Sequence, residues 1–223
     1  MKVAVLQFPG TNCEFDAKYA FSKLGCEVEV IWHKEGKLPE NTDLVVVPGG
    51  FSYGDYLRSG AIARFANIME DVKKFASNGG KVLGICNGFQ ILLEAGLLPG
   101  AMKRNDTLHF ISKYHHLKVI DNNNEFLRLL NIGDVVNIPV AHHDGNYYID
   151  EVGLKELEAN NQILLKYCTK DGEVTNMNGS VSNIAGICNK ERNVFGLMPH
   201  PERAIEEILG STDGVNRLKG LLK

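Results

Sequence analysis

The sequence lacks the long apolar runs that mark membrane proteins and exported precursors. Nowhere do 18 apolar residues follow one another, and the apolar stretch after Met1 ends at Pro9-Gly10, too early for the apolar region of a signal peptide. We therefore expect a cytoplasmic protein.

Signals for nucleic-acid binding are also missing. The formal net charge is −3 at pH 7, and the chain has no block of like charge and no basic stripe with interleaved aromatic residues. A nucleic-acid partner is therefore not expected.

Disulfide and metal patterns are equally scarce. The five cysteines are odd in number, widely scattered and without a C-x-x-C pair, which argues against a disulfide framework and a thiolate zinc site. The histidine pairs His115-His116 and His142-His143 lack a ligand spacing such as H-E-x-x-H. We predict no metal site, and a cysteine that matters for function should act as a thiol.

What the chain does have is the pattern of one α/β domain, which we expect to span residues 1–223. With 44% hydrophobic and 23% charged residues, the composition is typical of a globular protein. Short apolar strands alternate with helical patterns over the first hundred residues, as in βαβ units of a parallel sheet. These strands are predicted at 3–8, 27–32, 44–47 and 81–85, and the helices at 14–24, from the loop after residue 55 to about 76, and from residue 86 to near 96.

Beyond Pro99 the pattern is mixed, and no interdomain linker or internal repeat is visible. Further strands are predicted near 117–120, 135–139, 163–167, 184–188 and 194–197. A final helix, capped by Asp213, should run through Leu218 and Leu222.

The sharpest local signal is Gly84-Ile85-Cys86-Asn87-Gly88, between an apolar strand and a helix. It reproduces the nucleophile elbow of hydrolases with cysteine in place of serine. A tight turn between strand and helix leaves no room for side chains two residues before and two after the nucleophile, which explains both glycines. Most free cysteines are simply buried, but in this context we interpret Cys86 as a nucleophile whose thiolate the helix N-terminus favours.

A thiol nucleophile needs a base and usually a group that orients the base. His200 follows a predicted strand, lies between two prolines and precedes Glu202 by two residues. In an extended segment, residues two apart project to the same side, so the two side chains can lie together. A histidine beside a glutamate is more often a solvated pair, but together with the elbow we predict the triad Cys86, His200 and Glu202.

Attack on an amide carbonyl also requires donors for the oxyanion. The N–H of Asn87, directly after the nucleophile, is the natural first donor. The loop Pro48-Gly49-Gly50, after the third strand, is placed to supply the second, although such a loop can also be a plain turn.

Three motifs together resemble class I (triad) glutamine amidotransferases: P-G-G-F-S-Y-G-D at 48–55, G-I-C-N-G-F-Q at 84–90 and M-P-H-P-E-R at 198–203. Further segments look like the glutaminase subunit of phosphoribosylformylglycinamidine synthase, an enzyme of de novo purine synthesis. These are F-S-Y-G-D-Y-L-R-S-G-A-I-A from 51, Q-F-P-G-T-N-C-E at 7–14, and N-G-S and I-A-G-I-C-N near 178–189.

The resemblance implies a three-layer αβα fold, flavodoxin-like, with a mostly parallel central sheet and added antiparallel strands. It also implies that Cys86 attacks the side-chain amide of glutamine, that His200 transfers the proton and that Glu202 orients His200. Gly50 and Asn87 would form the oxyanion hole, and Gln90 would help to bind glutamine. The family usually carries an H-G-E-G-like stretch where this chain has His142-His143-Asp144-Gly145, so a glutamine-binding or partner role does not carry over directly to this segment.

The resemblance implies two partners, a large synthetase subunit and a small bridging subunit. The chain contains neither G-x-x-x-x-G-K-[ST] nor G-x-G-x-x-G at a strand-to-helix junction, so no cofactor is expected here, and ATP and magnesium should bind to the synthetase subunit. Two other hypotheses remain: another class I amidotransferase or a DJ-1/peptidase-like cysteine hydrolase, and a non-catalytic regulatory subunit of the same fold.

Overall fold

The computed structural model describes residues 1–222, which form eleven strands and five α-helices. The strands are β1 Lys2–Gln7, β2 Glu27–Trp32, β3 Leu44–Val47, β4 Lys81–Ile85, β5 Ala101–Lys103, β6 Ile111–Val119, β7 Val135–His142, β8 Asn146–Tyr148, β9 Ile163–Cys168, β10 Ile184–Cys188 and β11 Val194–Leu197. The helices are α1 Glu14–Lys23, α2 Asn67–Ser77, α3 Asn87–Glu94, α4 Glu151–Ala159 and α5 Val215–Gly220.

Nine of these strands form one mixed sheet in the order β2-β1-β3-β4-β11-β10-β9-β6-β7. The five strands from β2 to β11 are parallel, and the remaining four continue the sheet in antiparallel pairs. Strands β5 and β8 pair in a separate two-stranded sheet. The predicted α/β fold with added antiparallel strands is therefore confirmed, and the assignment of residues 1–223 to a single domain stays a prediction.

The helices cover both faces of the parallel half. The connection from β1 through α1 to β2 runs toward one edge of the sheet. The connection from β3 through α2 to β4 runs in the opposite direction. Because such crossovers are right-handed, α1 and α2 lie on opposite faces of the sheet. All four residues of β3 are consequently buried, whereas β7 alternates between buried and partly exposed positions.

The structure differs from the sequence-based prediction at several elements. Strands β5 and β8 and helix α4 were not predicted, and β6 and β7 are longer than expected. Helix α2 begins at Asn67 instead of directly after the loop that ends at residue 55. Gly60 in the intervening segment has φ +81°, and an added Cβ there would press against the backbone of Gln90.

The predicted cap of the last helix is wrong. Gly214 occupies the N-cap position of α5, and no side chain in the described part of the protein caps this helix. The Asp213 carboxylate instead accepts a hydrogen bond from the backbone N–H of Asn137 in β7, at 2.7 Å. Asp213 therefore ties the end of the chain to the sheet.

None of the helices in residues 1–222 has the length and apolar character needed to cross a membrane. The longest, α2, has 11 residues.

The parallel strands bring three distant segments to one edge of the sheet. Strand β4 leads into Cys86, β3 into Gly49-Gly50, and the neighbouring β11 into His200. Open α/β sheets place their sites at the carboxyl ends of such strands.

Candidate active site

Cys86 lies at the sharp turn between β4 and α3. Its backbone has φ 51° and ψ −107°, a conformation that non-glycine residues rarely adopt, and its N–H donates to the Leu197 carbonyl at 2.8 Å. The side chain is 6% exposed and borders a cavity. The geometry is that of the predicted nucleophile elbow.

The elbow requires glycine at residues 84 and 88 because other backbone segments lie too close to both positions to leave room for a side chain. A Cβ on Gly84 would lie 2.8 Å from the carbonyl carbon and oxygen of Gly88, which is the crowding expected from the sequence. A Cβ on Gly88 would instead overlap the Val47 carbonyl, so there the obstacle is strand β3. Helix α3 packs too closely on the sheet to admit any side chain at residue 88.

His200 and Glu202 form a buried pair. The His200 Nδ1 lies 2.6 Å from Oε1 of Glu202, and the two residues are 1% and 2% exposed. Residues Pro201–Arg203 form a 3₁₀ turn, so this turn and not the predicted extended segment brings the side chains together. The His200 N–H donates to the Pro139 carbonyl at 2.8 Å, which anchors the loop to β7.

The charge of His200 is set by its neighbours. Burial alone lowers the pKa of an imidazole, but the Glu202 carboxylate and then the negative charge of the Cys86 sulfur raise the pKa of His200 well above its ordinary value. Because Glu202 occupies Nδ1, Nε2 is the ring atom left for proton transfer, and the thiols of Cys86 and Cys13 both lie within hydrogen-bonding reach of the His200 ring.

Cys86 and His200 meet beside Gly49. A Cβ on Gly49 would lie 2.8 Å from Cε1 of His200 and 3.4 Å from Cβ of Cys86, so a side chain at this position would block the meeting point. The register of the sheet explains their proximity, since Leu197 of β11 pairs with Ile85 of β4. The structure thus brings together the three residues of the predicted triad.

Neither predicted oxyanion donor gives its backbone N–H to an acceptor within residues 1–222. Gly50 faces Thr11 across an isolated antiparallel bridge whose hydrogen bonds run instead from Asn12 to Gly49 and from Phe51 to Gly10. In this arrangement the Gly50 N–H is directed away from the bridge. Asn87 is the first residue of α3, where an N–H has no acceptor within the helix.

Gln90 lies one turn after the nucleophile and is held at both ends of its amide. Its Nε2 donates to the Asp144 carbonyl at 2.6 Å, and its Oε1 accepts from Nδ2 of Asn87 at 2.8 Å. The structure therefore places Gln90 between the elbow and the segment 142–145, on the wall of the cavity.

The cavity above Cys86 has a volume of about 430 Å³, within the usual range for small-molecule sites. Apart from Cys86 and Gln90, its walls come from the loop after β3, from Met102 of β5 and the nearby Arg104, and from the end of β7 with the residues that follow it. These residues include Gly50, Asp55, Arg58, Ser59, His142 and Asp144. Asp55 was part of a quoted motif but was given no role from the sequence.

The sequence-based analysis also missed a second thiol at the site, that of Cys13. Its sulfur accepts a hydrogen bond from Nη2 of Arg203 at 3.1 Å, and burial raises the pKa of the thiol. Possible ligand atoms of Cys13, His200 and Glu202 lie within 4.8 Å of one another, but Nδ1 of His200 is already bound to Glu202. The Q-F-P-G-T-N-C-E motif was the available signal for Cys13.

Comparison with known proteins places this geometry in a family. The CobB/CobQ-like glutamine amidotransferase domain matches residues 1–216. The chain belongs to this family. The resemblance to glutamine amidotransferases seen in the sequence is thereby confirmed.

Individual glutamine amidotransferases match over the full length of the chain. The phosphoribosylformylglycinamidine synthase subunit PurQ of Sulfurimonas denitrificans is 69% identical, with 100% of both chains covered. The protein of the same name from Wolinella succinogenes is 62% identical, with 99% of each chain covered. Among solved structures, PurLQS from Thermotoga maritima matches with a TM-score of 0.89 and 41% identity, covering 99% of this chain and 97% of that one.

Proposed function

We propose that this chain is the glutaminase subunit of phosphoribosylformylglycinamidine synthase. It hydrolyses glutamine to glutamate and ammonia, and the ammonia converts formylglycinamide ribonucleotide to formylglycinamidine ribonucleotide in purine biosynthesis. One observation carries the assignment: an elbow cysteine meets a buried His–Glu pair in a chain that matches PurQ subunits from end to end.

The reaction begins with formation of a thioester. Nε2 of His200 takes the proton of the Cys86 thiol, and the sulfur attacks the side-chain carbonyl carbon of glutamine. The N–H groups of Gly50 and Asn87 bind the oxyanion of the tetrahedral intermediate. When the intermediate collapses, the C–N bond breaks and His200 returns the proton to the departing nitrogen, which leaves as ammonia.

Hydrolysis of the thioester completes the cycle. His200 takes a proton from a water molecule, and the resulting hydroxide attacks the thioester carbonyl. The C–S bond then breaks, glutamate leaves, and the proton returns to the sulfur of Cys86. Glu202 accepts the Nδ1–H of His200 throughout, so the same tautomer serves both halves of the reaction.

The partners are a large synthetase subunit and a small bridging subunit. We propose that ATP and magnesium bind to the synthetase subunit and that the complex works in the cytoplasm. The synthetase can use ammonia only while its own substrates are bound. We therefore expect docking of the synthetase subunit to raise the rate of glutamine hydrolysis, and the isolated chain to hydrolyse glutamine slowly.

The test is reconstitution with the two partner subunits, followed by glutamine-dependent formation of formylglycinamidine ribonucleotide. Wild-type chain should support this reaction, and Cys86→Ala should abolish it with glutamine but not with added ammonium chloride, since the synthetase site remains intact. Full glutaminase activity of the isolated chain, or glutamine use by the Cys86→Ala complex, would contradict the proposal.

A further inference from the structure

Two carboxylates, Asp55 and Asp144, border the cavity above Cys86. The hydroxyl of Ser59 lies between them: it donates to Oδ2 of Asp144 at 3.0 Å and also lies within hydrogen-bonding reach of Asp55. Burial and then the charge of Asp144 raise the pKa of Asp55 to about 6. At neutral pH the Asp55 carboxyl is therefore largely ionised, and the charge of Asp144 repels it.

The cations around these carboxylates leave Asp55 uncompensated. Arg58 is held by both carboxylate oxygens of Glu94, at 2.5 and 2.8 Å. Arg104 approaches only Asp144, at 3.9 Å, and its side chain is 71% exposed. Among residues 1–222 no basic side chain forms an ion pair with Asp55, whose contacts are the neutral side chains of Ser59 and Asn87.

A third acceptor borders the same cavity at His142, which is 3% exposed. The amide nitrogen of Asn105 donates to the carbonyls of His109 and His142, so its oxygen faces Nδ1 of His142 at 3.1 Å. Burial, and then the charge of His200, lowers the pKa of His142 to about 4. The ring is thus neutral with its proton on Nδ1, and Nε2 is an acceptor without a partner within the described residues.

These acceptors suit a ligand that has several N–H donors and whose positive charge lies at the end far from Cys86. Glutamine has this character, since its amide reacts and its α-ammonium lies at the opposite end of the side chain. Asn87 and Gln90 join the acidic residues to the elbow, because Asn87 Nδ2 contacts Asp55 at 3.4 Å and Gln90 binds the Asp144 carbonyl. The spacing between nucleophile and carboxylates is therefore fixed by α3.

We propose that Asp55 and Asp144 bind the α-ammonium group of glutamine and so select an α-amino acid amide over a simple amide. The inference rests on the proposed function and assigns residues to its substrate. It also gives a role to Asp144, whose carboxylate the His143 ring contacts at 2.9 Å.

The experiment compares two substrates in the reconstituted complex, L-glutamine and glutaramate, which is glutamine without its α-amino group. Ammonia release gives kcat and KM for the wild type and for Asp55→Asn and Asp144→Asn. Each variant should raise the KM for glutamine about 10- to 100-fold, the effect of losing a hydrogen bond to a charged group, with kcat changed much less. The kcat and KM of the variants for glutaramate should hardly change. The ratio of kcat/KM for glutamine to kcat/KM for glutaramate should therefore fall.

Two controls separate substrate recognition from loss of structure. Asp171→Asn makes the same chemical change on an exposed turn and should leave both substrates unaffected. Iodoacetamide, which has no ammonium group, should alkylate Cys86 equally in all variants, whereas a diazoketone analogue of glutamine should label the two cavity variants more slowly.

The two proposals fail in different ways. A wild-type complex that releases no ammonia from glutamine contradicts the proposed function. A wild-type complex that hydrolyses glutamine, with variants that keep the wild-type preference over glutaramate, overturns only the assignment of Asp55 and Asp144.

Discussion

At the scale of single residues, the site depends on how a buried imidazole is kept basic. His200 has almost no contact with solvent, and a buried charge without a partner is costly. The hydrogen bond from Nδ1 to Glu202 offsets this cost and fixes the tautomer. We therefore propose that Glu202 acts through His200 as a positioning residue.

The variant Glu202→Gln tests this role. Removing the carboxylate should lower the pKa of His200, because the group that contributes most to raising it is gone. We expect kcat/KM for glutamine in the complex to fall about 10²-fold or more, as when the acid of a hydrolase triad is neutralised. NMR titration of the His200 ring gives the pKa, and an unchanged pKa would contradict the argument. Glu191→Gln, on the exposed turn before β11, is the control.

The burial of Asp55, and then its repulsion by Asp144, should be visible in the stability of the chain. Its pKa is about 6 in the folded protein against 3.8 for the free side chain, so the unfolded chain releases this proton first as pH rises. The carboxyl group therefore lowers stability progressively between about pH 4 and 6. Asp55→Asn should raise the free energy of unfolding above pH 6 by about 1 to 3 kcal/mol, with no gain below pH 4. Urea unfolding across this pH range measures the difference in free energy of unfolding between the variant and the wild type. A stabilisation that does not depend on pH would contradict the prediction.

At the scale of elements, the junction of β4 and α3 has the least tolerance for change. The helix begins at Asn87, directly after the strained Cys86, and its second residue touches the backbone of β3. The strain at Cys86 is thus maintained by packing on both sides of the turn.

Gly88→Ala should therefore be severe. The added methyl group would overlap the Val47 carbonyl, and backbone cannot move aside as a flexible side chain can. We expect a loss of about 3 kcal/mol or more in the free energy of unfolding, measured by thermal or urea denaturation. Gly79→Asn is a matched control, because this glycine has φ +86° and open space around it, and asparagine tolerates that conformation. A Gly88→Ala protein as stable as the wild type would contradict the close contact between Gly88 and the Val47 carbonyl.

The elements differ in how well the sequence predicted them, for physical reasons. The parallel strands are apolar and bounded by turns, so β2, β3 and β4 were predicted with their observed bounds. Strands β5 and β8 have three residues each, too few for a period to show. Helix α4 did carry a signal, since the Asp150 side chain caps it at the Gly153 N–H, but that glycine weakens the helical pattern.

At the scale of the whole molecule, the site combines local motifs with contacts that no motif contains. The proximity of Cys86, His200 and Glu202 could be predicted because each of them lies in a short, distinctive segment. The proximity of Asp55 to Asp144 could not be predicted from the sequence. It depends on how the loop after β3 meets the end of β7 across the cavity. The same holds for Cys13, which reaches the site from the loop before α1.

The position of β11 has a consequence for synthesis of the protein. This strand lies between β4 and β10, yet it is the last strand to leave the ribosome. Until it arrives, one side of β4 has no backbone partner, and Cys86 has neither His200 nor Glu202 beside it. Under the proposed mechanism, we expect a chain that ends before β11 to carry Cys86 and yet to release no ammonia from glutamine.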